Sequence, residues 1–165
     1  MYKTGNYKLI PITSNDLKKI DTHYYAAIED ISLNKYTDRC RYPLTEKQCD
    51  EFIDNNFIFG IFDMNNDHIG NIGIHNIDHL NRTCEVGIFI WLQGKGVGSE
   101  CLPVVVDHCI NRLNMQRVWM GTLSINDAMN KLAIKSGFEL EGVQKRARIL
   151  NNEYVDVNIY VKFND

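Results

Sequence analysis

Gln93-Gly94-Lys95-Gly96-Val97-Gly98 follows an apolar run, Val86-Gly87-Ile88-Phe89-Ile90-Trp91. It precedes a segment in which Val97, Leu102, Val105, Val106, Cys109, Ile110 and Leu113 recur at three- and four-residue intervals. The order is strand, glycine-rich turn, helix. Closely spaced glycines let backbone N–H groups turn inward without obstruction by Cβ. The first turn of a helix carries unpaired donors and the positive end of a dipole, so the stretch suits a phosphate group. The spacing excludes two common phosphate loops. G-x-x-x-x-G-K-[ST] is absent, because Gly98 is followed by Ser99-Glu100; G-x-G-x-x-G is absent, because the glycines fall at every second position. A glycine-rich helix opening with no ligand is the alternative reading of the loop alone.

The chain of 165 residues is expected to form one domain, 1–165, with room for a good core. Hydrophobic residues at 44% and charged residues at 24% suit a soluble globular protein. A formal charge of −3 gives no basic footprint for nucleic acid and no attraction to anionic membranes. No apolar h-region follows Met1-Tyr2-Lys3-Thr4-Gly5-Asn6, and no apolar window reaches the roughly 18 residues of a membrane span. Cys40, Cys49, Cys84, Cys101 and Cys109 make an odd count without C-x-x-C, which fits reduced, mostly buried thiols in a cytoplasmic protein. His75 and His79 flank a strand end and turn, so no metal site is expected there.

Along the chain, Tyr7 to Ile12 reads as a strand before a helix N-cap in Thr13-Ser14-Asn15-Asp16, and Leu17, Ile20, Tyr24 and Ile28 give a helical stripe. Thr45-Glu46-Lys47-Gln48 is a capping box opening a second helix. Phe57 to Phe62, His68 to Ile77 and Thr83 to Trp91 read as an antiparallel meander. A long helix over about 95–113 contains Pro103, which removes one hydrogen bond and favours a kink. Gln116 to Leu123 is a strand, so a parallel crossover is expected. Asn126 caps a helix that Gly137 ends, and Glu139 to Leu150 with Glu153 to Lys162 form a hairpin about Asn151-Asn152. The class is α+β around a central mixed, mostly antiparallel sheet of about seven strands with about four helices.

Gln93, Gly96 and Gly98 fill the pattern Q/R-x-x-G-x-G/A, which resembles the coenzyme A pyrophosphate loop of the GNAT family of N-acetyltransferases. Ile69-Gly70-Asn71-Ile72-Gly73-Ile74, Asn81-Arg82, Cys84-Glu85-Val86-Gly87, Asn126-Asp127-Ala128-Met129, Lys135-Ser136-Gly137-Phe138 and Glu141-Gly142 extend the resemblance over nearly the whole chain. They look like the subgroup of ribosomal-protein N-terminal and bacterial amino-sugar acetyltransferases. The resemblance implies splayed strands holding acetyl-CoA, the co-substrate. Pantetheine would pair with backbone near Phe89, Ile90 and Trp91, and the pyrophosphate would sit on the amides of Gly94, Lys95, Gly96, Val97 and Gly98. Asn126 is similar to the asparagine that reaches the pantetheine arm, and it also reads as an N-cap. Lys131 would meet nucleotide phosphates or stand solvated.

The implied reaction is direct attack of a primary amine on the thioester. The amine must first lose a proton, and Glu85 is the candidate base. An N–H near Ile90 would hold the oxyanion. Met129 and Ala133 stand where many relatives carry a serine or tyrosine proton donor for the thiolate, which leaves Tyr154, Tyr160, water or unaided departure. The turn before the loop is also shorter than in many relatives, which leaves the position of the strand bulge open. Arg146, Arg148 and Asp156 resemble a substrate-binding tail of sugar-nucleotide acetyltransferases; cross-strand charge pairing is the alternative. Arg39, Arg41 and Tyr42 read both ways as well. The expected partner is a small-molecule amine, foremost an amino sugar, with a homodimer left open. A protein N-terminus as acceptor, and a non-catalytic acyl-CoA-binding module, are the alternatives.

Overall fold

Capping chemistry sets several of the elements. In the computed structural model, which describes residues 1–20, 24–36, 45–92 and 94–164, Thr13 caps α1 (Ser14–Lys19) by accepting from the Asp16 amide while Asp16 Oδ2 accepts from Thr13 N at 2.9 Å. Thr45 and Gln48 form the same reciprocal pair at the start of α4 (Glu46–Asp54), as the sequence predicts. The stripe from Leu17 to Ile28 is not one helix. Ile20 closes α1 in extended conformation (φ −89°, ψ 133°), and α2 (Tyr24–Glu29) and α3 (Ile31–Asn34) follow as short pieces. Arg39, Cys40, Arg41, Tyr42 and Gln93 lie outside the described residues.

The chain divides into two compact units, one of residues 1–73 and 88–101, the other of 74–87 and 102–165. The strands are β1 (Tyr2–Lys3), β2 (Lys8–Ile12), β3 (Phe57–Phe62), β4 (His68–Asp78), β5 (Thr83–Ile90), β6 (Arg117–Leu123), β7 (Glu139–Leu150) and β8 (Glu153–Phe163). β4, β5 and α5 (Val97–Asp107) each begin in one unit and end in the other.

In the first unit the strand order is β1-β2-β3-β4-β5. β2 and β3 pair antiparallel from Lys8↔Phe62 to Ile12↔Ile58. β1, only two residues long, carries too little pattern to be seen in the sequence; it pairs Tyr2↔Leu9. Ile12, Leu17, Tyr24, Ile28, Cys49, Ile53, Ile58 and Phe62 make the core, with Phe89 and Trp91 packed against it. Each such side chain contributes about 1.5–3 kcal/mol on burial.

In the second unit the order is β4-β5-β6-β8-β7. β5 and β6 are parallel, which fulfils the crossover expectation, and their ladder runs from Thr83↔Arg117 only to Glu85↔Trp119. β6 pairs with β8 over its whole length, Arg117↔Phe163 to Leu123↔Val157. Asn151 and Asn152 turn the β7–β8 hairpin with φ of 51° and 65°.

α5 starts at Val97 rather than Lys95, runs through Pro103 and widens into a π turn at His108–Arg112, where Leu113 N reaches His108 O. α6 (Asp127–Lys135) ends as expected at Gly137 (φ 82°). The amides of Gly137 and Phe138 reach back to Ile134 O and Ala133 O there. Cys84, Cys101 and Cys109 are buried free thiols, Cys49 is buried as well, and burial pushes Cys101 up to about 12. Among the described residues no helix is long and apolar enough to cross a membrane.

Candidate functional site

In the first unit, Gly94 and Gly96 adopt φ of 79° and 70°, the left-handed region that costs other residues about 1–2 kcal/mol. Nothing lies within 4 Å of where their Cβ atoms would be, so conformation, not space, requires glycine. The first backbone bond into α5 runs from Glu100 N to Gly96 O at 3.3 Å. The N–H groups of Val97, Gly98 and Ser99 therefore precede the helical ladder and need outside acceptors. Gly94, Lys95 and Gly96 are exposed, while Val97 (3% exposed) anchors the loop from inside and Gly98 is buried in the first turn. Glu100, the acidic residue of that turn, is spent elsewhere: its oxygens accept from Thr4 Oγ1 (3.3 Å), Asn6 N (3.2 Å) and Asn6 Nδ2 (3.2 Å).

Two contacts pin the approach to this loop. Trp91 N and Leu92 N both donate to Ile69 O, at 3.1 and 3.4 Å, which places a β-bulge at Trp91-Leu92. The Trp91 indole adds a third bond, Nε1 to His68 O at 2.9 Å. Because Trp91 faces β4 with its N–H, alternation along the strand turns the N–H and C=O of Ile90 away from β4. Tyr7 (6% exposed) donates its hydroxyl to Lys95 O at 3.0 Å. Burial and the nearby Glu100 carboxylate push the Tyr7 phenol up, so it stays a donor at neutral pH.

In the second unit, Glu85 closes the β5–β6 ladder. Its Oε2 accepts from Asn76 Nδ2 at 2.7 Å, and Asn76 itself sits at φ 47° within β4. Burial lifts the Glu85 carboxyl above the ordinary glutamate range; the Asn76 donor and the Arg148 charge pull the other way without cancelling it. A half-buried carboxylate with a raised proton affinity is the chemistry a general base requires.

Asn126 caps α6, its Oδ1 accepting from Met129 N at 3.2 Å. Lys131 is exposed on the same helix. Tyr160 is 4% exposed and donates to Asn130 Oδ1 at 2.9 Å, so its proton has a structural destination. Asn130 is a hub the sequence reading missed. Its Nδ2 donates to Leu123 O (3.0 Å) and Asn126 O (2.8 Å), and its Oδ1 also accepts from Asn158 Nδ2 (2.8 Å). Its place four residues after Asn126, on the same helix face, was the available signal.

Two of the hairpin charges, Lys145 and Asp156, are engaged with each other. Asp156 Oδ2 pairs with Lys145 Nζ at 2.9 Å and Oδ1 accepts from Arg146 N at 2.8 Å, contacts that hold its carboxyl below the usual range. They pin a bulge between Gln144↔Val157 and Arg148↔Val155, with Arg146 at φ 52°. Arg148 donates to Ala147 O at 3.0 Å. Tyr154 is 66% exposed and lines a cavity of about 310 Å³ with Ser124, Ile125, Glu153 and Asp156.

Residues 7–139 match the family described as Acetyltransferase (GNAT) domain. The chain is 36% identical over 101 residues to the ribosomal-protein-serine acetyltransferase of Escherichia coli (strain K12), a stretch covering 59% of this chain. That stretch is 55% of the relative, so the chain spans about half the length of this curated relative. Among solved structures, a spermidine N-acetyltransferase from Vibrio cholerae in complex with CoA and spermine superposes with a TM-score of 0.83 at 18% identity, covering 95% of each chain. A ribosomal L7/L12 alpha-N-protein acetyltransferase in complex with coenzyme A gives 0.80 at 22%, covering 98% of this chain and 96% of that one. At such identities the likeness establishes the fold.

Proposed function

The chain belongs to the GNAT acetyltransferase family, and from that premise we propose that it moves an acetyl group from acetyl-CoA to a primary amine. The observation that carries this reading is the pair of left-handed, exposed glycines ahead of the unpaired amides of α5, a cradle for a diphosphate. Gly94 to Gly98 hold the pyrophosphate. The strand end at Phe89, Ile90 and Trp91 offers backbone to the pantetheine arm, as Asn126 does with its carboxamide. Lys131 serves the nucleotide end.

Glu85 takes the proton from the incoming ammonium, through water, and its raised pKa suits it to that task. The Ile90 N–H, turned away from β4, meets the negative charge that develops on the acyl oxygen. The leaving thiolate makes the weakest demand, because a thiol of pKa about 8.5 departs without a fixed acid. Tyr160 is committed to Asn130, so Tyr154 or solvent supplies the final proton.

For the acceptor, the N-terminal amine of a protein is the reading we favour over an amino sugar. The cavity beside the hairpin is lined by carboxylates and no arginine. Asp156 shapes the bulge, while the Glu153 carboxylate makes no hydrogen bond or ion pair among the described residues and is free to meet positive charge. Arg146 and Arg148 remain the feature that favours a sugar nucleotide. The test is free-thiol release from acetyl-CoA with peptides, polyamines and amino sugars, nucleotide-linked ones included. Turnover confined to peptides supports the reading, turnover confined to amino sugars replaces it, and binding of coenzyme A without turnover on any amine makes the protein a binding module.

A further inference from the structure

We propose that Tyr7 is a positioning residue for the diphosphate cradle, acting through the peptide bond between Lys95 and Gly96; this rests on the acetyl-CoA reading above. The Lys95 carbonyl accepts the Tyr7 hydroxyl at 3.0 Å across a sequence separation of 88 residues. The described peptides are trans, and in a trans peptide the C=O and the following N–H point in opposite directions. Holding the Lys95 oxygen on Tyr7 therefore aims the Gly96 N–H away from Tyr7. That N–H has no acceptor among the described residues, and Gly96 is exposed with open space at its Cβ position.

The alternative orientation is costly for function. Gly94 and Gly96 both occupy the left-handed region, where glycine has many neighbouring conformations, so nothing intrinsic prevents the intervening peptide from flipping. A flipped peptide would present the Lys95 oxygen, a partial negative charge, where a diphosphate must sit. Tyr7 removes that option. It is itself immobile, because it is buried and because the turn beside it is tied down: Thr4 N donates to Tyr7 O at 2.9 Å, and Glu100 holds Thr4 and Asn6. The N-terminal turn thus fixes one carbonyl of the loop and leaves the amides to the ligand.

The test compares wild type with Tyr7→Phe, which deletes one oxygen and keeps the ring. Calorimetry with coenzyme A, inorganic pyrophosphate and pantetheine separates the cradle from the pantetheine arm. The expected result is an about three- to tenfold weaker affinity for coenzyme A and for pyrophosphate, the worth of one net hydrogen bond, with pantetheine unaffected. The ³¹P resonances of bound coenzyme A should shift, and the melting temperature without ligand should hold. Equal affinities in both proteins, or an equal loss for coenzyme A and pantetheine, would overturn the inference while leaving the acetyl-CoA reading intact. A wild-type protein that binds neither coenzyme A nor pyrophosphate would sink that reading first, and this inference with it.

Discussion

The glycine loop and the β7–β8 hairpin both turn through left-handed residues, but they use them to opposite ends. In the loop the residues are Gly94 and Gly96, whose side chains are absent and which are exposed to solvent. In the hairpin they are Arg146, Asn151 and Asn152, which keep their side chains and pay a conformational cost to do so. The loop's polar groups are amides that await an acceptor. At the hairpin's bulge the charged groups are already paired: Asp156 holds Lys145 and the Arg146 amide at once. A loop built from backbone tolerates changes of side chain but not of backbone freedom. A hairpin built from side-chain pairs should show the reverse.

The largest effect should follow Gly96→Glu. It combines left-handed strain with a negative charge at the cradle, and coenzyme A binding should fall more than about a hundredfold. Gly96→Ala adds only the strain, about 1–2 kcal/mol, or roughly five- to thirtyfold. Lys95→Ala, between the two glycines, should matter least of the three, since its carbonyl stays on Tyr7. Calorimetry on the three variants gives the order. A Lys95→Ala loss equal to that of Gly96→Glu would mean that the side chain, not the backbone, makes the site.

Glu85→Gln acts on turnover rather than on binding, with an expected drop in kcat of about 10²–10⁴ and coenzyme A affinity unchanged. Stability should move the other way. The folded pKa of Glu85 is raised, so between the ordinary glutamate value of about 4.3 and the folded value the native state binds more proton than the unfolded chain. Its stabilising contribution is complete below that window and is lost as pH rises through the folded pKa. At neutral pH the glutamine variant is therefore expected to be at least as stable as wild type, and the acid limb of kcat/KM should disappear with the carboxylate. Denaturation at several pH values, beside the rate profile, measures both. A variant that loses stability at neutral pH in step with activity would show Glu85 to be a structural residue.

What could be read from the sequence followed the range of the interaction. Thr45 and Gln48 lie three residues apart, and Gly137 follows α6 directly, so both caps were visible. The glycine loop was visible for the same reason. Ile20 was not seen as a break, because its apolar side chain fits the helical stripe while its backbone is extended. The π turn at His108–Arg112 changes hydrogen-bond span without changing residue type, so it left no trace in the pattern. The bonds from Tyr7 to Lys95 and from Tyr160 to Asn130 join residues 88 and 30 positions apart, and only the fold brings them together. Glu85 was legible as a candidate base, yet the Asn76 partner and the burial that raise its interest were not.

Asn130→Ala sharpens the contrast from the side of the second unit. It strips Tyr160 of the acceptor for its hydroxyl and Asn158 of its partner, and it removes the second donor from the carbonyls of Leu123 and Asn126, which keep the backbone N–H groups of Asn126 and Asn130. Leaving a buried polar group unpaired costs about 1–3 kcal/mol, so thermal denaturation should show a clear fall in melting temperature. Coenzyme A affinity at the glycine loop should change less than in Gly96→Ala. A variant that melts like wild type would mean that water replaces the hub at no cost.

The smallest effect should be that of Asp156→Asn, and it decides what the hairpin is for. The substitution keeps an oxygen for the Arg146 amide and removes the charge that faces Lys145. The pair is exposed, so at neutral pH the melting temperature should barely move. Because the folded pKa of Asp156 lies below the usual range, what it contributes is present above the unfolded aspartate value of about 3.9 and is lost as pH falls through the folded pKa. Whatever small difference separates wild type and variant at neutral pH should therefore vanish in acid. Steady-state kinetics supply the other half: the acceptor KM should hold in Asp156→Asn and rise in Glu153→Gln, since Glu153 is the cavity carboxylate left to meet a cationic substrate. A KM that rises with Asp156→Asn instead would move substrate recognition onto the bulge, and would return Arg146 and Arg148 to the list of groups that touch the acceptor.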